Sequence, residues 1–186
     1  MGDAPTQNHV AASTDDSTSY LGQVQIERLS GAAEEGDAES QMKLALVLAN
    51  EYETSGDKEL QQSSEKWLRL AAAQGLPEAQ HHMGDRFREG SGVVQDFSQA
   101  ARWYQQAADQ GFAGSMYALG EMMRVGQGVA QSYADAYIWL NLAAARGDVR
   151  AQDAREQIVT LLSTAQLNDA QRHSRELDEA IPRYIE

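Results

Sequence analysis

His81 and His82, with Asp85 four residues after the first, are the residues whose types and spacing invite a metal reading. On a helix His81 and Asp85 would share a face and could hold a cation between them. Two ligands fall short of the set that a bound transition metal requires, and adjacent helical residues point about 100° apart, which turns His82 away. His9 and His173 have no partner suggested by the sequence. The glycine pairs in "GSG" (90–92) and "GQG" (126–128) could begin a phosphate loop, but neither extends to GxGxxG or GK[ST]. No G-x-S-x-G or H-E-x-x-H pattern occurs. The absence of cysteine excludes disulfides, thiolate metal sites and a cysteine nucleophile. The carboxylates, on a chain this acidic, read as solvated helix faces. The expectation is a chain without catalytic residues, metal or cofactor.

Composition bounds what must position these side chains. Of 186 residues 42% are hydrophobic and 23% charged, a globular balance, and only three prolines interrupt a sequence rich in Ala, Gln, Glu and Leu. A net charge of −13 argues against nucleic acid or anionic lipid as the main partner. The longest apolar run, "LALVLA" at 44–49, is far short of the ~20 residues that span a bilayer. Residues 1–19 are polar and aperiodic and read as a disordered leader. They lack the layout of a signal peptide, but a chain whose signal had been removed would look like this, so the expectation leans toward a periplasmic or exported location.

The chain writes one phrase four times: "AAEEG" at 32–36, "AAAQG" at 71–75, "AADQG" at 107–111 and "AAARG" at 143–147. Gly75, Gly111 and Gly147 are 36 residues apart, and so are Trp67, Trp103 and Trp139. Such a period announces a repeat architecture. Within each unit, small or apolar residues at 79, 83, 84 and 87, and at 115, 119, 120 and 123, mark one face of a first helix. "GSG" and "GQG" end it. Asp96 with Gln99, and Ser132 with Asp135, cap a second helix. Its buried stripe is expected at Ala100, Trp103 and Ala107, then Ala136, Trp139 and Ala143. The paired alanines allow close helix approach, and the glycine lets the chain turn into the next unit.

A 36-residue unit with Leu119-Gly120 in the first helix, GxGV in the turn (Gly90, Gly92, Val93; Gly126, Gly128, Val129) and A-x-x-W in the second helix (Ala100, Trp103, with Tyr104; Ala136, Trp139) resembles the Sel-one-like repeat (SLR) family, a cousin of tetratricopeptide repeats. The resemblance implies an all-α fold: a short right-handed α-solenoid of helix-turn-helix units at about 36–74, 75–110 and 111–146. A divergent unit with a capping helix would follow at 147–181, giving a solenoid over 20–181. "STAQLNDAQRHSREL" (163–177), with a capping box from Ser163 to Gln166, fits that closing helix. The spacing of 39 between Gly36 and Gly75, with only Gly56 where GxGV belongs, predicts an extended first helix followed by an irregular loop at 50–62.

In such stacks the first helices line the concave face. That frame places Glu39, Met42, Leu46 and Ala49 there, then Glu78, His81, Asp85 and Arg88, then Tyr117, Glu121 and Arg124. The resemblance implies a non-catalytic scaffold or adaptor that binds another protein on this face, with bacterial members regulating envelope enzymes or neutralising toxins. A monomer is expected, and Glu78, Asp85 and Glu121 point to a partner with a basic surface. A small-ligand or glycan receptor, or an enzyme, using the same groove is the alternative. An ordinary solvated surface would carry the same residues.

Overall fold

The recurring pentapeptide ends a helix each time, by the same hydrogen bonds. In the computed structural model, which describes residues 14–184 with the side chains of 14–21 excepted, Gly36, Gly75, Gly111 and Gly147 all adopt positive φ, between 91° and 99°. The amide after each glycine donates to the carbonyl of the first alanine: Asp37 to Ala32, Leu76 to Ala71, Phe112 to Ala107 and Asp148 to Ala143. The glycine amide donates to the second alanine's carbonyl, completing a Schellman motif in which a Cβ would strain the left-handed residue. The alanines are themselves core: Ala71, Ala107 and Ala143 are fully buried, letting neighbouring helices approach.

Among the described residues these stops, with the GxG turns, divide the chain into α1 (Thr14–Glu34), α2 (Ala38–Ser55), α3 (Lys58–Ala73), α4 (Pro77–Glu89), α5 (Phe97–Ala108), α6 (Ala113–Val125), α7 (Tyr133–Ala145), α8 (Val149–Val159) and α9 (Thr164–Ala180). From α1 to α8 each helix packs on its sequence neighbours, and α9 folds back onto α7. Local contacts of this kind are the signature of a quasi-one-dimensional repeat stack. Helix starts are capped as the sequence indicates: Asp96 accepts from the amides of Ser98 and Gln99, Ser132 from Asp135, and Ser163 and Gln166 form a reciprocal capping box.

Three expectations change. Residues 14–19, read as leader, are the opening turns of α1, while 1–13 lie outside the described residues. That helix is fixed by packing: Ile26, Leu29 and Ala33, on one face, meet Leu44 and Leu48 of α2. The segment 50–62 is not an irregular loop. Helix α2 runs five residues longer than α4 or α6, Gly56 closes it in the left-handed conformation at φ 70°, and Asp57 caps α3 immediately. Trp103 is only partly buried, against the cluster containing Ala79 and Met83; the fully buried residue of α5 is its neighbour Tyr104. Leu68, Tyr104 and Leu140 hold one phase of the 36-residue period and are all inaccessible, so the deepest core position lies one residue beyond each tryptophan.

Glutamines tie the units together. Buried Gln41 and Gln80 each donate to the carbonyl of the phrase's second alanine in the preceding helix, Ala33 and Ala72. Their carbonyls accept from Gln74 and Gln110, at 2.8 Å in both cases. Buried amides paired this way satisfy one another inside an otherwise apolar stack. In the next unit Met116 replaces the first glutamine and Arg146 the second. Arg146, with 5% of its side chain exposed, reaches instead to Asp178 at 2.7 Å and to the Ile181 carbonyl at 3.3 Å.

Candidate functional site

The first helices of successive pairs, α4, α6 and α8, line a cleft of about 520 Å³. Glycine makes it accessible to the core: a Cβ on Gly84 would lie 2.5 Å from the Tyr104 ring, so only glycine lets that ring sit against α4. Tyr104 therefore passes beneath α4 and presents its hydroxyl at the cleft. That hydroxyl donates to Asp85 Oδ1 at 2.7 Å and accepts from Arg88 Nε at 3.0 Å. Arg88 also pairs with Asp85 at 3.3 Å and with Glu89 at 2.6 Å. Burial, and then the Asp85 carboxylate, push the Tyr104 phenol well above its usual range, so it stays a neutral donor.

His81 occupies the other side of Asp85, with Nε2 3.5 Å from Oδ2 and Nδ1 2.9 Å from Ser115 Oγ. Burial lowers the pKa of both His81 and His82, the Asp85 charge opposing it. Serine, histidine and aspartate in sequence evoke a nucleophilic triad. Ser115 is inaccessible, however, and cannot meet a substrate. Among the described residues no three His, Asp or Glu side chains are grouped to hold a metal ion.

Five of the eleven residues placed on the concave face, His81, Asp85, Arg88, Tyr117 and Glu121, come together as lining of this cleft. Arg124 lies beside it, paired with Glu121 at 2.7 Å. Glu78 stands in the first turn of α4 outside the lining, and Leu46 is exposed on α2, at a distance along the stack. Met42 does not belong to the surface at all: it is 6% exposed and packs with Ala45, Leu68 and Met83 in the core. Its face of α2 is turned to α3 and α4. The charge reading also changes, because Asp85 and Glu121 are neutralised by Arg88 and Arg124.

The cleft contains residues that sequence reasoning passed over. Arg150, from α8, lies over the Tyr117 ring with its guanidinium 4.3 Å from the centroid and pairs with Asp148 at 2.6 Å. Its signal was available: Arg150 stands two 36-residue periods beyond Glu78. Tyr104 was visible too, as a hydroxyl at a phase held elsewhere by leucine.

The comparisons with known proteins identify the scaffold. The Sel1 repeat matches three times in succession, over 38–76, 77–112 and 113–148. The chain belongs to the Sel1 repeat family. Sel1 repeat proteins generally mediate protein–protein interactions and are typically non-catalytic scaffolds. This Sel1 stack is similar to the crystal structure of c5321, a protective antigen present in uropathogenic Escherichia coli strains that displays an SLR fold. That match has a TM-score of 0.77 and 29% identity over 89% of this chain and 38% of the other. It is also similar to a Sel1 repeat protein from Oxalobacter formigenes, with a TM-score of 0.63 and 32% identity over 70% of this chain and 96% of that one. The chain thus spans well under half the length of the first relative. No curated protein matches the chain. The all-α solenoid implied by the resemblance is the fold observed, and no helix among the described residues is long and apolar enough to cross a membrane.

Proposed function

We propose that the chain is a non-catalytic adaptor that holds a partner protein in the cleft between α4, α6 and α8. The observation that carries this reading is the contrast between scaffold and cleft. Turns, caps and core phases repeat from unit to unit, and the Asp85–Arg88 pair recurs as Glu121–Arg124, whereas Tyr104, Tyr117 and Arg150 occur once each. These side chains are held by one another before any partner arrives. Such preorganisation lowers the ordering cost of binding, and tyrosine and arginine offer large contact area with directed hydrogen bonds. The net charge of −13 favours a partner with basic groups, so association slows as salt is raised.

Capture with the purified full chain from native extract supplies the partner, and variants test the surface. Tyr117→Ala combined with Arg150→Ala, with helicity intact, is expected to weaken binding at least about tenfold, the effect of losing a hot spot. Glu51→Ala with Glu53→Ala, near the end of α2, should leave binding unchanged. Loss in the second variant with retention in the first would place the interface elsewhere.

A further inference from the structure

The segment after α9 turns back across the stack and lies in a channel of its own. Ile181 leaves the helix in an extended conformation, φ −85° and ψ 126°, and its carbonyl accepts from buried Arg146 at 3.3 Å. Pro182 follows so closely over the α5–α6 turn that any Cβ on Gly111 would overlap its carbonyl oxygen. Tyr184 then seats edge-on against Phe112, their ring centroids 5.5 Å apart. Around this contact a cleft of about 330 Å³ is lined by Gly111, Phe112, Ala113, Gly114, Arg146 and Tyr184.

This channel adjoins the partner cleft. Gly114 lines both, and Phe112, under Tyr184, stacks on His81 of the larger cleft with centroids 5.1 Å apart. Between its contacts at Ile181 and Tyr184, Pro182 and Arg183 are exposed, and the Arg183–Asp178 pair at 3.5 Å is solvated. An extended strand with an aromatic residue three positions after an Arg146-bound carbonyl therefore fits the channel, and this chain's own tail is such a strand.

We infer that the channel formed by Gly111, Phe112 and Arg146 docks an extended, aromatic-bearing segment of the partner, and that Ile181–Tyr184 occupies it until the partner displaces the tail. The inference rests on the reading of the chain as a partner-binding solenoid, and it adds the form of the segment recognised and a built-in competitor. Arg146 gives the channel direction, because a guanidinium must meet a carbonyl at one end while the ring meets Phe112 at the other.

The test needs no partner. An acetylated, amidated peptide spanning residues 179–184 is titrated into the full chain and into full chain carrying Tyr184→Ala, following the amide resonances of Gly111 and Phe112. The Tyr184→Ala chain is expected to bind at least tenfold more tightly than the parent, and a peptide with its tyrosine replaced by alanine is expected not to bind. Phe112→Leu in the Tyr184→Ala background, which keeps an apolar side chain, should weaken the peptide several-fold. No saturable shift in the Tyr184→Ala chain, or equal affinity in both chains, overturns the inference. The chain with Tyr117→Ala and Arg150→Ala should still respond to tail loosening, so failure of the larger cleft as the partner site is scored separately. With a captured partner, Tyr184→Ala should raise its affinity; an unchanged affinity means that tail and partner do not share the channel.

Discussion

Replacing glycine by alanine at two helical positions should move stability in opposite directions. Gly31 lies within α1, and a Cβ there meets nothing within 4 Å. Alanine should gain the helix-propensity difference of about 0.5–1 kcal/mol. Gly84 lies within α4, where a Cβ would approach the Tyr104 ring carbons at 2.5, 2.6 and 2.9 Å. Carbon contacts are comfortable near ~3.5–4.0 Å, so the ring or the helix must yield by about 1 Å. Tyr104 is inaccessible and tied to Asp85 and Arg88, so the overlap should sit at the upper end of overpacking costs, about 3 kcal/mol. Subtracting the propensity gain leaves a net loss of about 2 kcal/mol. For a chain of 186 residues each kcal/mol moves the melting point by about 2–4 °C. Far-UV circular dichroism melts should therefore show Gly31→Ala rising by roughly 1–4 °C and Gly84→Ala falling by roughly 4–8 °C. Gly84→Ala with Tyr104→Leu installs the pair that the first unit carries at Ala45 and Leu68, and most of the loss should return. A Gly84→Ala melt equal to the parent's would refute the claim that this glycine exists to admit the Tyr104 ring.

Acidification should destabilise the fold before any carboxylate titrates. His81 and His82 have folded pKa values lowered by burial, so the unfolded chain binds more protons below its own pKa of about 6.5, and stability falls as pH drops from there through the folded values. Urea midpoints across that window should flatten in a His81→Gln, His82→Gln chain; an unchanged slope would locate the effect elsewhere. Ser163→Ala removes the capping box of α9 and should cost about 1 kcal/mol, read as a fall of about 2–4 °C in the melt. Gly75→Val and Gly111→Val impose the same left-handed strain, at φ 91° and 92°, yet only Gly111 faces the Pro182 carbonyl. Both should lose at least about 1–2 kcal/mol, and only the Gly111 variant should also shift the Tyr184 resonances.

The period made the scaffold legible because a repeat's phase is set by backbone geometry, and glycines and alanines in a Schellman turn leave few alternatives. Depth was harder to read. Trp103 has the larger side chain, but Tyr104 is the residue that a glycine across the helix pair makes room for, and that glycine is twenty positions away in sequence. Met42 was misplaced for a related reason. Spacing puts it in line with Leu46, but whether that face looks outward or onto α3 and α4 depends on how far the helices roll against each other. The paired charges of Asp85 with Arg88 and Glu121 with Arg124 follow helical spacing and could have been anticipated. The seat of Tyr184 on Phe112 could not, since residues 181–184 have no period to place them.

The positions where the repeat departs from its own pattern gather in one region. Tyrosine replaces leucine at Tyr104, and its hydroxyl organises Asp85 and Arg88. Methionine replaces the tying glutamine at Met116, which leaves its neighbour by phase, Arg146, without the amide partner that Gln74 and Gln110 have. Arg146 turns to Asp178 and Ile181, and so the tail is drawn across Gly111 to Phe112. Arg150 stands where the second unit has Glu78 and stacks on Tyr117. Tyr104, Arg146 and Arg150 each bring a hydroxyl or a guanidinium to a phase where other units carry a different residue, and Met116, itself apolar, withdraws the amide that would have paired with position 146. A solenoid needing only to stand up has no use for these exceptions. Their convergence on α4, α6 and the returning tail is why the partner-binding reading is placed there and not on α2 or the outer helices.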